Sequence, residues 1–274
     1  MDQRPPIITL LTDFGQADTH IGVMKGVMLG ICPAARLVDL CHELEPHAIE
    51  DAAYQLSVSY RFFPPGTVHL VVVDPGVGTG RRALAAEAAG HLFVAPDNGV
   101  LSYVADAAAL HAVELIDARY FLPTVSQTFH GRDIFAPVAA HLAAGVPLDN
   151  LGPRVPDPAL LPLPQPIERG PALVLHIIHV DRFGNLITDL STPAFDKWLA
   201  GRAEGGGGRV TIRAGRETIE GVSTAYAYAA PGELLAVVGS SSRLEIAINQ
   251  GNASKALSLA VGDSLEMECT VPRR

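Results

Sequence analysis

Residues 71–84 read VVVDPGVGTGRRAL. An apolar run ends in an acid, Asp74, and the glycine-rich turn after it closes on two arginines, Arg81 and Arg82. Two folds compete for this stretch: a strand feeding a helix through a phosphate-cradling loop, or a strand turning into another strand with a carboxylate at its mouth. The spacing argues against the cradle. Gly76, Gly78 and Gly80 give G-x-G-x-G, whereas the dinucleotide fingerprint needs its third glycine one residue later, where Arg81 stands; the G-K-[ST] ending of a P-loop is also missing. The next segment, ALAAEAAG, reads as a strand, so no helix N-terminus waits to receive a phosphate. Asp74 is then left at the carboxyl end of a strand, where open α/β sheets place their ligands, and Arg81 can return across the turn to meet it. The plain alternative is an Asx-turn acid beside two solvated arginines.

Outward from this stretch the pattern alternates. Residues 7–12 (IITLLT) read as a buried strand. His20–Ile31 reads as a helix, with Ile21, Met24, Val27, Met28 and Ile31 at 3-4 spacing, Asp18 or Thr19 as cap and Pro33 as stop. A strand at 36–40, a helix at 47–60 and a strand at 67–73 complete a β-α-β-α-β series, which predicts a largely parallel sheet with helices on its faces. Strand signals at 81–89, 91–95 and 112–116 and a helix at 132–144 come next. Residues 152–168 carry six prolines and read as an interdomain linker. Beyond it, short β-type runs (VLHIIHV, RVTIRA, ELLAVVG, LEIAIN, SLEMECT) between glycine-rich turns, Gly205–Gly208 among them, predict a small antiparallel barrel or sandwich. The expected fold class is thus α/β: an N-terminal α/β catalytic domain over 1–151 with a mostly parallel sheet, then a smaller all-β, barrel-like domain over 169–274.

Composition bounds the function. With 274 residues, 48% hydrophobic and 18% charged, the chain can bury a sizeable core. Its formal charge of −9 disfavours a phosphate-backbone binder, so no nucleic-acid partner is expected. Cys32, Cys41 and Cys269 have no C-x-x-C spacing and read as free thiols of a reducing compartment. The N-terminus lacks a basic segment followed by an apolar one, and no apolar run reaches membrane-spanning length, so a cytoplasmic protein with no membrane partner is expected. No His or carboxylate spacing suits a metal.

Other motifs carry chemistry. In TFHGRD (Thr128–Asp133), His130 can take a proton from water and a neighbouring carboxylate or guanidinium can tune it, while Asp133 can simply cap the helix that comes after it. In TDFG (Thr12–Gly15), Asp13 at a strand's carboxyl end can accept bonds from two vicinal ribose hydroxyls, or be a turn residue. In DRFGN, Phe183 can stack on a base and Asn185 can read an adenine edge; in GSSSRLEIAIN, Ser242 and Arg243 can hold a carboxylate. As isolated patterns these last two are ordinary turns.

Together the motifs TDFG-x-x-D, KG-x-M-x-x-I-x-P, RFFPPGTVHLVVVDPGVGTGRR, APDNG, TFHGRD, DRFGN and SSSRLEIAIN, in order along nearly the whole chain, resemble one family. It is that of the S-adenosyl-L-methionine (SAM) hydrolases, or SAM hydroxide adenosyltransferases, relatives of the fluorinating and chlorinating enzymes that use the same substrate. The resemblance implies an α/β domain followed by a β-barrel-like domain, a homotrimer with sites at subunit interfaces, and hydrolysis of SAM by water at C5′ to adenosine and L-methionine without cofactor or metal. It implies that Asp74, Arg81 and His130 position and activate water. It maps Asp13 to the ribose, Asp18 and Asp181 to the methionine amine, Phe183, Asn185 and Tyr226 to adenine, Ser242 and Arg243 to the methionine end, and Glu245 to the adenine-edge segment. In the halogenases the Asp74 position aligns with Tyr and the His130–Gly131 pair with Tyr-Ser, and they carry an insertion missing here. The departure favours water over halide as nucleophile. A SAM or adenosine sensor with negligible turnover is the other alternative.

Overall fold

The computed structural model describes residues 4–202 and 209–270; the Gly205–Gly208 run lies outside them. The chain divides into two compact units, Met1–Leu163 and Pro164–Arg274.

The first unit contains β1 (Ile7–Thr12), α1 (His20–Ile31), β2 (Arg36–Cys41), α2 (Ile49–Ser59), β3 (Val68–Val72), β4 (Ala83–Ala88), β5 (His91–Pro96), α3 (Ser102–Ala107), β6 (His111–Glu114), α4 (Ala136–Ala143) and β7 (Arg154–Val155). Its sheet runs β2-β1-β3-β5-β4-β6-β7. The pairings β1–β2, β1–β3 and β3–β5 are parallel, whereas β4–β5, β4–β6 and β6–β7 are antiparallel. The sheet is therefore mixed, and the expectation of a mostly parallel one is corrected. The physical reason lies at Ala89–Gly90. Both residues have positive φ (52° and 78°), so they form a two-residue hairpin turn that forces β4 and β5 antiparallel. Helical crossovers through α1 and α2 make β1, β2 and β3 parallel, and β5 runs parallel to β3 because the chain reverses twice, into β4 and out of it.

Strand alternation sends side chains to two cores. Ile8, Leu10, Leu70 and Val72 pack with Met24 and Met28 of α1 and Val138 of α4 on one face. Leu11, Val71 and Val73 pack with Ala52, Ala53 and Leu56 of α2 and Val104 of α3 on the other. α1 starts after Thr19 without a side-chain cap and stops at Cys32, before Pro33. The helix expected over 132–144 opens instead as a π-turn, Gly131–Phe135, before α4 begins. The proline-rich run does not hang free from residue 152: Arg154–Val155 pairs with β6, Asp157 meets Arg82, and the Leu161 amide donates to Ser102 Oγ at 2.7 Å.

The second unit contains β8 (Ile167–Arg169), β9 (Ala172–Val180), β10 (Leu186–Ser191), α5 (Thr192–Ala200), β11 (Arg209–Ala214), β12 (Glu217–Glu220), β13 (Leu234–Val238), β14 (Arg243–Ile248), α6 (Ala253–Leu257) and β15 (Ser264–Thr270). Its antiparallel sheet runs β12-β11-β15-β9-β10-β14-β13, with β8 also on β9. Ser223, just past β12, bridges to Val237 of β13, so the sheet curls until its two ends nearly meet. Leu175, Ile177, Ile212, Ile246 and Met267 fill the interior. The unit is not all-β, which corrects the second expectation. α5 begins with a proline in its first turn and buries Trp198, and α6 is capped by Asn252, whose side chain accepts from the Lys255 amide at 2.8 Å.

Candidate active site

The register of the first sheet sets the site. Thr12 lies opposite Val72 on the adjacent parallel strand, so the chain leaves β1 at Asp13 and β3 at Val73–Asp74 along the same carboxyl edge. The Asn98 side-chain amide holds the Val73 carbonyl at 2.9 Å, fixing where Asp74 emerges. The turn then folds back through Val77 N to Asp74 O and Thr79 N to Gly76 O, delivering Arg81 beside the acid. Gly78 sits at φ +75°, and a β-carbon there would clash with the Gln127 carbonyl oxygen. The glycine is thus required by the close approach of the loop that carries His130.

Arg81 joins the three groups. Its Nε donates to Asp74 Oδ1 at 2.8 Å, its Nη2 to Asp74 Oδ2, and the same Nη2 lies 2.9 Å from His130 Nδ1. The guanidinium also lies over the Phe135 ring, 5.2 Å from its centroid. A guanidinium has no acceptor, so His130 Nδ1 must accept, and the imidazole is neutral with its proton on Nε2. Burial, and then the Arg81 charge, push the His130 pKa below its ordinary value, against opposing pulls from Asp74 and Asp133. In this arrangement Arg81 and His130 Nε2 are donors. Asp74 is the acceptor of the set, with lone pairs beyond the two that Arg81 occupies. A water held here would find two donors for its oxygen and one carboxylate for its proton.

Asp13 accepts from the His47 amide at 2.9 Å. Asp18 is not part of the Asp74 cluster; it lines a separate open cleft with Gln16, Lys25, Asp39 and His42. The two adjacent arginines part company: Arg82 donates to Asp97 at 2.6 Å and to Asp157 at 2.9 Å, away from Asp74. Asp133, read as a possible helix cap, makes no cap bond; it is fully buried and binds Ser126 and Arg132.

In the second unit, Asp181, Phe183, Asn185, Tyr226 and Glu245 line one cleft of about 650 Å³, together with Ser240, Asn249 and Gln250, which sequence reasoning did not single out. Asp181 Oδ1 accepts from the amides of Phe183 and Asn185, both at 2.9 Å, and Oδ2 from Asn185 Nδ2 at 2.9 Å. This Asx-type network leaves Phe183 largely exposed and Asn185 buried. Gly184, at φ +87°, lets the turn abut Asn252, where a β-carbon would not fit. Tyr226 OH donates to Glu245 Oε2 at 2.8 Å. Burial raises the Glu245 pKa, with Asp181 adding to the shift while Tyr226 and His179 oppose it, and burial and Glu245 raise that of Tyr226. Ser242 and Arg243 are not among the lining residues: Arg243 Nη1 donates to the Asp189 carbonyl at 2.7 Å, and Ser242, at φ +57°, forms the turn into β14. Among the described residues no group of three or more His, Cys, Asp or Glu is arranged to hold a metal ion.

Comparison with known proteins is consistent across the chain. Residues 8–152 match the SAM hydroxide adenosyltransferase N-terminal domain and residues 175–266 its C-terminal domain. An (R)-S-adenosyl-L-methionine hydrolase of Thermus thermophilus is 40% identical over 93% of this chain and 96% of its own. One from Salinispora tropica is 38% identical over 96% and 97%. A fluorinase of Nocardia brasiliensis is more distant, 29% identical over 71% of this chain and 74% of its own. A conserved protein of Thermotoga maritima, of known crystal structure, superposes with a TM-score of 0.87 at 39% identity, covering 95% of this chain and 99% of that one.

Proposed function

The chain belongs to the SAM hydroxide adenosyltransferase family, and from that premise we propose that it is a hydrolase that cleaves S-adenosyl-L-methionine with water, giving adenosine and L-methionine. The observation that carries the chemical part is the bridge from Arg81 to both Asp74 and His130 Nδ1. Water is held by Arg81 and His130 Nε2–H, in line behind C5′ of the ribose. The C5′–O bond forms as the C5′–S bond breaks, and the sulfonium sulfur keeps the electron pair and leaves as methionine's thioether. The water proton passes to Asp74. A sulfonium needs no protonation to depart, so the step calls on no cofactor and no metal. Positioning can supply up to about 7–11 kcal/mol of the barrier in favourable cases, and general-base help about 10²–10⁴-fold.

Substrate contacts follow the family resemblance. Asp13 takes the ribose, Asp18 and Asp181 the methionine amine, and Phe183, Asn185, Tyr226 and Glu245 the adenine. Ser242 and Arg243 take the methionine carboxylate. That Phe183, Asn185, Tyr226 and Glu245, all four, line one cleft supports the adenine assignment. The proposal extends to a cytoplasmic homotrimer with the site at a subunit interface, checked by light scattering of the purified protein. Among the described residues no helix is long and apolar enough to cross a membrane. The named relatives act on the (R) sulfonium epimer, and we assign the same preference here.

The decisive experiment is incubation with separated SAM epimers in ¹⁸O-water. Adenosine labelled at O5′, formed from the (R) epimer, is expected. Tight binding without product would replace the hydrolase by a sensor, and a 5′-halo product dependent on chloride or fluoride would make it a halogenase.

A further inference from the structure

His130 owes its orientation to groups that never approach the reacting atoms. The segment before it, residues 122–129, contains no helix or strand, and several of its residues are exposed. A segment of this kind has many conformations unless something pins it. The pin is Asp133, a carboxylate with no exposed surface. Its Oδ2 accepts from the Ser126 amide at 2.8 Å, from Ser126 Oγ at 2.7 Å and from Arg132 Nη2 at 3.0 Å, while Oδ1 accepts from Arg132 Nε at 2.6 Å. Ser126 Oγ in turn accepts from the Phe129 amide at 3.1 Å. The amide of Asp133 returns to the Phe129 carbonyl at 3.1 Å, and its carbonyl receives the Leu122 amide at 2.9 Å. Arg132 also stacks on the Phe129 ring, 5.2 Å from its centroid. Both ends of residues 126–129 are therefore closed on one residue, Ser126 on the Asp133 carboxylate and Phe129 on its backbone amide. Between them the Gln127 carbonyl lies against Gly78, in the turn that joins Asp74 to Arg81.

We propose that Asp133 and Ser126 are positioning residues that clamp residues 126–129 against the Gly78 turn and so set His130 Nδ1 on the Arg81 guanidinium. A buried carboxylate is costly when isolated, and here Ser126 and Arg132 satisfy it. Burial alone would raise its pKa, but Arg132 and Ser126 together hold it below the ordinary carboxylate value. The clamp's contribution to catalysis rests on the hydrolase reading; its contribution to His130 geometry does not.

The test uses Asp133→Asn and Ser126→Ala, singly and together, in the full-length protein. For SAM hydrolysis, kcat is expected to fall about 10²-fold for Asp133→Asn and about 10-fold for Ser126→Ala, with KM within about threefold, since the ground-state contacts are elsewhere. The double variant is expected to be no worse than Asp133→Asn, because the two act as one unit. The pH profile gives a readout that mere destabilisation would not move. His130 is faced by Asp74 and Arg81 from the β3–β4 turn and by Asp133 from its own helix, with Arg132 and His20 of α1 against the adjoining Phe129 ring. Loss of the clamp takes His130 off Arg81, whose charge lowers its pKa more than Asp133 raises it, so the acid limb of kcat moves to higher pH in both variants. Unchanged kcat in folded Ser126→Ala, multiplicative losses in the double variant, or an unmoved acid limb overturns the clamp. Long-range ¹⁵N–¹H spectra of the imidazoles test it without turnover: His130 protonated only at Nε2 in the parent, and mixed tautomers in Ser126→Ala, are expected. An unchanged His130 tautomer overturns the clamp, whereas an inactive parent protein overturns only the hydrolase reading.

Discussion

Asp74 in the first unit and Glu245 in the second both keep their carboxyl groups largely from solvent: the Asp74 side chain is 5% exposed, and Glu245 as a whole residue 6%. Their partners differ. Asp74 faces a guanidinium that occupies both its oxygens and reaches on to an imidazole. Glu245 faces a phenol, and Asp181 lies close enough to push its pKa further upward. With both carboxyl groups largely shielded, the partner decides what each can do. Beside Arg81, Asp74 is an acceptor held for a proton. Beside Tyr226, Glu245 is drawn toward its neutral form, in which it both donates and accepts, as the edge of a base requires. One cluster suits a reaction step and the other suits recognition.

The comparison breaks first, and most visibly, at Asp74. Asp74→Asn is expected to lower kcat by about 10²–10⁴-fold with little change in KM, measured by adenosine release. A KM effect instead would place Asp74 with the binding groups. Arg81→Lys comes next. A lysine cannot hold both Asp74 oxygens and His130 Nδ1 at once, and about 10²-fold in kcat is expected to be lost. The pH dependence has a definite sign. His130 must stay neutral for Nδ1 to accept, and its pKa is lowered by burial and Arg81, so activity falls as pH drops, with an acid limb centred below 6.5. The same sign holds for stability. The folded state resists the proton that the unfolded chain takes up, so the contribution is present above the unfolded value and lost on acidification through that window. A stronger case is His69 in the sheet interior, lowered to about 3 by burial and then by His91. Stability is expected to fall by ~2 kcal/mol between pH 7 and pH 5, read by urea denaturation, and the slope to flatten in His69→Leu.

Much of this was legible in the sequence because it is local. β3, the glycine turn and the strand after it follow from VVVDPGVGTGRRAL, and the 3-4 spacing of α1 follows from its own residues. The features that could not be read depend on contacts distant in sequence. The antiparallel half of the sheet follows from an Ala-Gly turn that lacks the Asn-Gly signature. Arg81 reads from the sequence as the residue that returns to Asp74, but the contacts of its neighbour Arg82 with Asp97 and Asp157 appear only in the fold. Asp133 reads as a possible helix cap, and its bonds to Ser126 and Arg132 stay hidden, because sequence spacing cannot tell an acid facing solvent from one facing inward. Asn249 and Gln250 enter the second cleft because β14 pairs with β10, which brings the end of β14 beside the Asp181 turn. α5 did leave a signal, a proline and an amphipathic TPAFDKWLA, hidden among β-type runs.

The second cluster breaks differently. Glu245→Gln keeps the shape of a neutral carboxyl and exchanges a hydroxyl donor for an amide, and Tyr226→Phe deletes one hydrogen bond to the buried Glu245 carboxyl. Each is expected to raise KM for SAM by about 3–10-fold and leave kcat within about threefold, as loss of one hydrogen bond of about 1 kcal/mol implies. Isothermal titration with adenosine should reproduce the loss. A fall in kcat without a change in KM would merge the two clusters into one catalytic unit and erase the distinction.

The smallest effect belongs to Arg82, and its smallness is what makes it informative. Arg82 adjoins Arg81, carries the same charge and leaves the same turn, so a general electrostatic account of the site would predict comparable losses from removing either. The geometry predicts otherwise. Arg82 spends its donors on Asp97 and on the carboxylate and carbonyl of Asp157, and Asp97 also holds the Ala159 amide at 2.7 Å. Its work is to tie the proline-rich segment to the edge of the first sheet. The pair with the exposed Asp157 contributes little to global stability, and the buried Asp97 keeps its bond from the Ala159 amide when Arg82 is removed. Arg82→Ala should keep kcat and KM within about twofold of the parent, while the ties at residues 157–161 loosen and limited proteolysis there speeds up. A catalytic loss approaching that of Arg81→Lys would mean that the site depends on the summed charge of the turn; an unchanged rate with faster cleavage would mean that it depends on one guanidinium's hydrogen bonds.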